Sequence, residues 1–259
     1  MPATTFRAAD DLVDALRGTA ALRPVADRGL AGGLRAWLED GVFERVGAPE
    51  PDAVSLSTRD VAGAREDAGP LAWLRGSMVG ALLALRVAGV ALTDPLERAV
   101  EVLRASGRND ALLRTLDALD ADERARLAAE VGAHSRVLCD RLATHPPRWA
   151  PRCAVRQRVS VAGGALVLRG LVDLALGAPG GERACVCLLD VTTARLDASH
   201  ETALAYLALL ETIRSGEPPL RVAALSTADG AALVRDVDES LLADGVAAVF
   251  AALPVPGSS

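Results

Sequence analysis

An α/β fold, with a helical N-terminal region leading into a domain of mixed helices and strands, is predicted by three features of the sequence. Residues 6–119 carry apolar side chains at three- and four-residue spacings, broken by Gly, Pro and Asn-Asp punctuation, as amphipathic helices do. From about Asp120 the pattern changes to one helix, three strand-like runs, a helix, a strand and a closing helix. Of the 259 residues, 51% are apolar, enough to bury a sizeable core in one large domain or two small ones. The change of pattern divides the chain into a helical region, 1–118, and an α/β domain, 119–259.

Taken in order, the helical segments of the first region are "FRAADDLVDALRG", "GLAGGLRAWLEDGVFERVG", "LAWLRGSMVGALLALRVAG", "DPLERAVEVLRASG" and "NDALLRTLDAL". Residues 48–70, "APEPDAVSLSTRDVAGAREDAGP", read by composition as a loop or lid. The second region opens on "DADERARLAAEVGAHSRVLCDRLATH", with Asp120 placed as an N-cap and Leu127, Val131, His134, Leu138 and Leu142 on one stripe, and Pro146-Pro147 end it. Three runs with strand character follow, "CAVRQRVSVAGG", "ALVLRGLVDLALG" and "ACVCLLDVTT", the first two joined by a hairpin at Gly163-Gly164. "GAPGG" at 177–181 leads into a strand, where a phosphate-cradling loop would lead into a helix, and reads as a hairpin turn. "ASHETALAYLALLETIRSG" is a helix stopped by Gly216, "LRVAALSTADG" is a strand, and "VDESLLADGVAAVFAAL" closes the chain as a helix.

Composition narrows the function classes. The longest apolar stretch, from Leu71, is cut by Arg75 and Arg86, which leaves about ten residues between charges where a membrane span needs about twenty. The N-terminus has no basic segment followed by an apolar one, so a cytoplasmic protein is expected. Cys139, Cys153, Cys185 and Cys187 form no CxxC pair and read as small core residues rather than zinc ligands. There is no GxSxG, no HExxH and no Cys-His nucleophile motif. All 28 cationic residues are arginine, with no lysine anywhere.

The net charge of −6 does not attract nucleic acid, but it is unevenly placed. From Arg141 to Val172 there is no Asp or Glu, while Arg148, Arg152, Arg156, Arg158 and Arg169 all fall there, with Arg195 further on. This stripe is either a solvated face or a surface that meets phosphates. Two aspartates stand out in otherwise apolar strands, Asp173 in "GLVDLALG" and Asp190 at the end of "CLLDVTT". An acid on a buried strand needs a partner. It could be a turn or an arginine such as Arg169 or Arg195, or a hard cation such as Mg²⁺ or Mn²⁺ shared by both carboxylates, with water and phosphate filling the remaining positions.

In element order and in the placement of "VGAHSRVL", "GLVD", "DVT" and "TALAY", residues 121–230 resemble the core of the PD-(D/E)xK nuclease superfamily, in particular its RecB-like branch. That resemblance implies an αβββαβ core, a divalent metal held by Asp173 and Asp190 with His134 as a further ligand, and action on DNA. The motifs depart from the family at two places. Thr192 stands where the family has its lysine, two residues after Asp190 and so on the same strand face, and Thr202 stands where it has a glutamine. With no lysine in the chain, none can stand in from elsewhere, and a guanidinium that never deprotonates is a poor copy of one. Gly132 and His134 are one residue apart where the family has two between.

Each remaining position also has a plain reading: His134 as a buried histidine with one hydrogen bond, and Tyr206 as core packing beside Leu209 and Ile213. Asp173, Asp190 and Thr192 are thus the candidate catalytic positions, His134, Asp173 and Asp190 the candidate metal ligands, and the six arginines the candidate nucleic-acid contacts. The expected function is that of a nuclease-fold protein that binds or acts on DNA with weak or no catalysis. The alternatives are an active Mg²⁺-dependent phosphodiesterase, or a protein-assembly module that meets a protein partner through its helical half.

Overall fold

A computed structural model describes residues 4–6, 12–18, 27, 29–46, 54–63, 71–107, 109–142, 149–180 and 183–254. Arg148, singled out above, lies outside them. The fold is α/β, as expected. Helices α1 (Leu12–Arg17), α2 (Leu30–Val46), α3 (Thr58–Ala62), α4 (Ala72–Val87), α5 (Pro95–Ala105), α6 (Asp110–Asp117), α7 (Ala121–Arg141), α8 (Ala198–Ser215) and α9 (Glu239–Ala252) enclose a mixed sheet. Its strands are β1 (Thr4–Phe6), β2 (Val54–Ser57), β3 (Arg152–Val161), β4 (Leu166–Leu176), β5 (Cys187–Thr192), β6 (Arg221–Ser226) and β7 (Ala232–Asp236). Among the described residues no helix is long and apolar enough to cross a membrane.

The expected order α7, β3, β4, β5, α8, β6, α9 is present, with its punctuation. Asp120 caps α7 by accepting from the Glu123 amide at 2.7 Å, while Glu123 accepts in return from the Asp120 amide at 3.2 Å. Gly163 and Gly164 turn the β3–β4 hairpin at positive φ of 64° and 100°. Gly216, at φ 83°, ends α8.

Four expectations are corrected. Residues 54–57, inside the stretch read as a loop, form β2, parallel to β4, and α3 follows directly. Phe6, placed at the head of a helix, lies in β1, antiparallel to β7. A return strand, β7, follows β6 through a turn at Asp229-Gly230. The cysteines are not uniformly core: Cys187 is buried, whereas Cys139 is exposed on α7.

The strands run in the order β1-β7-β6-β5-β4-β2, and β3 pairs with the other edge of β4. One apolar core joins the sheet to α2, α8 and α9 through residues such as Leu38, Leu168, Leu207 and Val246. A second joins the opposite face to α1 and α4–α7 through Leu16, Leu82, Leu138, Leu189 and Leu225. The sheet is therefore the middle of three layers, each face of it apolar, which explains the near-continuous apolar runs of β4, β5 and β6.

Candidate functional site

The site is made by β4. Along one edge β3 accompanies it from Arg152↔Ala175 to Val161↔Leu166. Along the other edge it has two partners in succession, β2 at Leu166–Arg169 and β5 at Leu174–Leu176. Between them residues 170–173 are paired on that edge with neither, so β2 and β5 splay apart and leave a gap.

The pattern of burial reverses at the gap. Leu166, Leu168 and Val172 belong to the core under α8, whereas Leu174 and Leu176 belong to the core under the helical layer. Across the hairpin the same reversal separates Val155 from Cys153. At this step Ala154 has φ 51°, a left-handed conformation that a residue with a Cβ seldom adopts, and the β3–β4 register skips the Ala154–Asp173 pair.

Asp173 and Asp190 meet here. The β4–β5 register, Leu174↔Leu189, would next set Asp173 opposite Asp190. In place of a backbone pair, the Asp173 carboxylate reaches across and accepts the Val191 amide at 2.7 Å. Burial, with the Asp173 charge adding to it, pushes the neighbouring Cys153 thiol up to about 11. Both aspartates line one cavity of about 500 Å³, together with Thr58, Arg59, Gly63, Ala72, Trp73 and Leu171. Arg59 and Leu171 also border an adjoining cavity of about 570 Å³ lined by Arg156, Arg158 and Arg169. The two form one cleft, acidic at the β5 end and cationic at the β3 end.

Among the described residues, none of the four arginines is in a salt bridge, while other arginines of the molecule are paired, as Arg75 is with Glu130 and Arg221 with Asp236. Three of the four were expected from sequence. Arg59 was missed because α3 lies in the segment read as a loop. Two expected contacts lie elsewhere. Arg152 donates to the Gly177 carbonyl at 3.1 Å, and Arg195, 85% exposed, faces Asp229 at 3.9 Å.

His134 is not among the residues lining the cavity that holds the two aspartates. It is buried on the stripe of α7 that also holds Val131 and Leu138, and among the described residues no three His, Cys, Asp or Glu side chains gather as metal ligands. The donor set that remains, two carboxylates on one cavity, fits Mg²⁺ or Mn²⁺, which take one or two carboxylates from protein and complete their shell with water and phosphate oxygens. Thr192, two residues after Asp190 on β5, is buried, and its hydroxyl accepts the Ala194 amide at 3.1 Å. Its carbonyl accepts from the Thr227 amide and hydroxyl at 2.8 and 2.9 Å, so this residue fastens the end of β5 to the β6 turn.

Tyr206 and Gly170 prop the gap open from below. The Tyr206 hydroxyl accepts the Arg169 amide at 3.1 Å and lies 3.1 Å from the Leu56 carbonyl and 3.0 Å from that of Arg169, as donor. It holds the last rung where β2 leaves β4, and burial holds the phenol protonated well above its usual range. A Cβ at Gly170 would meet the ends of the Leu207 and Gln157 side chains at 2.9 Å and displace them, so glycine suits the close approach of α8. Beneath it Gln157 donates to the buried Glu211 at 2.9 Å, and Arg214 pairs with the same carboxylate at 2.6 Å.

No family model matches the chain, and no curated protein matches it. Among solved structures, the crystal structure of SSO0001 aligns at 10% identity over 88% of this chain and 89% of that chain, with a TM-score of 0.32. The crystal structure of Scheffersomyces stipitis Rai1 in complex with (3'-NADP)+ and calcium ion aligns at 10% identity over 88% of this chain and 67% of that chain, with a TM-score of 0.25. Likeness of that degree says nothing about chemistry.

Proposed function

We propose that this chain binds DNA in the cleft between β2 and β5, as a PD-(D/E)xK-type protein of the RecB-like kind whose hydrolytic power is weakened or lost. The observation that carries this reading is the gathering of Arg59, Arg156, Arg158 and Arg169, outside any salt bridge among the described residues, around a cleft that ends on Asp173 and Asp190. In a protein of net charge −6, so local a concentration of cations suits a phosphate backbone. The loss of catalysis follows from Thr192, whose hydroxyl serves the β5 turn. Arg59, which lines the same cavity as the aspartates, offers charge to a phosphate but no exchangeable proton. Four cysteines outside any disulfide suit a reducing cytoplasm.

A second reading, Mg²⁺-dependent phosphodiester hydrolysis, is favoured by the two carboxylates on one cavity. There Asp173 and Asp190 would hold the cation, and the arginines would orient the backbone against it. A divalent cation so held supplies Lewis acidity and an acidified water.

Fluorescence anisotropy with labelled DNA, at several salt concentrations, tests the first reading. Arg156→Ala with Arg158→Ala is expected to weaken binding at least tenfold and flatten its salt dependence, whereas Arg152→Ala changes little. Calorimetric titration of Mn²⁺ and Mg²⁺ into the wild type and Asp190→Asn, followed by incubation with DNA, tests the second. Cleavage that Asp190→Asn abolishes would replace the first reading by the second. No affinity for any DNA would overturn both and leave a protein-assembly module.

A further inference from the structure

Two large apolar side chains in the cleft have no part in the core: Trp73, 48% exposed at the start of α4, and Leu171, 49% exposed on β4. Both line the cavity that holds Asp173 and Asp190. Leu171 lies at the junction with the arginine-lined half, and Arg59 borders both halves. Neither position is exposed for want of an alternative. Trp73 is followed by Leu74, fully buried in the helical layer, and Leu171 lies beside the buried Val172 on the gap of β4.

Resting on the reading of the cleft as a DNA site, we infer that it takes single-stranded DNA, with an unstacked base lying on Trp73 against Leu171 while the adjoining phosphates meet Arg59, Arg156 and Arg158. In a duplex the base faces are covered by their neighbours, so an exposed indole and leucine beside a phosphate-binding surface have nothing to meet. A single strand offers a phosphate row and free base faces together. Aromatic stacking tolerates any base, because every base has a π-face. The arrangement therefore selects for strand state and not for sequence.

The indole itself reports on the contact. The full chain is titrated with dT10, with a ten-residue abasic deoxyribose-phosphate strand and with a blunt ten-base-pair duplex, following tryptophan fluorescence and anisotropy of labelled strands. Binding of dT10 is expected to quench the wild type, to be tighter than that of the other two probes, and to weaken roughly 5- to 150-fold in Trp73→Ala, the range typical of one stacked base. Trp73→Phe, which keeps a ring, is expected to retain most of the affinity while losing the quench. The abasic strand should bind Trp73→Ala and wild type alike. Equal affinity of the wild type for dT10 and the abasic strand, or a Trp73→Ala variant with native circular dichroism and undiminished dT10 affinity, would overturn the inference. Arg156→Ala with Arg158→Ala keeps the two proposals apart. If that variant weakens all three probes while Trp73→Ala weakens none, the cleft binds nucleic acid through its backbone alone. If the wild type binds no probe, both proposals fall.

Discussion

Asp173 does a structural task whether or not it also meets a ligand. Its carboxylate takes the Val191 amide at the point where β4 and β5 part, replacing a ladder bond that the splayed backbone cannot make. Tyr206 does the corresponding task at the β2 side of the same gap. Removing either acceptor strands a backbone donor. Tyr206→Phe leaves the part-buried Arg169 amide facing a ring edge, and is expected to cost about 1–3 kcal/mol in urea unfolding at pH 7. A loss below about 0.5 kcal/mol would show that water replaces the hydroxyl there. These two residues also show what could be read from the chain and what could not. An acid in an apolar strand announces a partner, but the partner is a backbone amide eighteen residues away, fixed by the splay of three strands, and no local pattern encodes a splay. Arg59 escaped for a related reason, since its value depends on β2 joining the sheet beside β4. Thr192 was legible as a departure from a motif, while its service to the β5 and β6 turns needed the parallel register to be seen.

At the scale of elements, α8 is the best-specified helix of the chain, and its start is a titrating cap. The Asp197 carboxylate accepts the Ser199 amide at 2.9 Å and hydroxyl at 2.6 Å and lies 2.8 Å from Nδ1 of His200, itself 1% exposed. The Ser199 hydroxyl, with smaller contributions from the His200 contact and the Ser199 amide, holds the Asp197 carboxyl down at about 2 against partial burial. A depressed carboxyl stabilises the fold above its unfolded value, 3.8, and loses that contribution as the pH falls through its folded value. Asp197→Ala is therefore expected to cost about 1 kcal/mol at pH 7, the ordinary worth of an N-cap. The difference between wild type and variant should shrink between pH 4 and pH 2, measured by urea unfolding at each pH. A difference that is constant across that window would assign the cap to geometry alone. Helix boundaries such as this were readable, because caps are local: Asp120 with Glu123 and Gly216 are written in the sequence. The short strands were not. β2 carries a two-residue alternation of Val54 and Leu56, but four residues with one buried side chain make a weak signal beside the prolines and glycines around them. β7 was announced by Asp229-Gly230, a good hairpin turn, and was overlooked because its five residues fall between a strand and a helix that already satisfied the expected order.

For the whole molecule, the change of sequence pattern near residue 119 raises the question of whether residues 119–259 fold alone. The elements before it are built into the later ones on both faces of the sheet. β1 covers the edge of β7 and β2 extends β4, while α2 supplies Leu34, Leu38 and Val42 to the core around α8 and α9. α1, α4 and α5 supply Leu12, Leu16, Met78, Leu82 and Val100 to the core that holds α7 and the other sheet face. At about 1.5–3 kcal/mol for each fully buried large apolar side chain, these eight alone represent roughly 12–24 kcal/mol of burial, as large as the whole net stability of a typical domain. Deleting residues 1–118 also bares the edges of β7 and β4, which invites pairing between copies. A fragment of residues 119–259 is accordingly expected to show helical and strand signal in far-ultraviolet circular dichroism but no sharp thermal transition, and to aggregate, whereas the full chain unfolds cooperatively. The cleft makes the same division testable by function, since Arg59 and Trp73 come from before residue 119 and Asp173, Asp190 and the strand arginines from after it. A fragment that unfolded cooperatively, stayed monomeric and bound DNA as the full chain does would show that the pattern change marks an independent unit and that the helical region merely rests on it. Loss of cooperativity and of binding together would show one fold whose cleft exists only where its two halves meet.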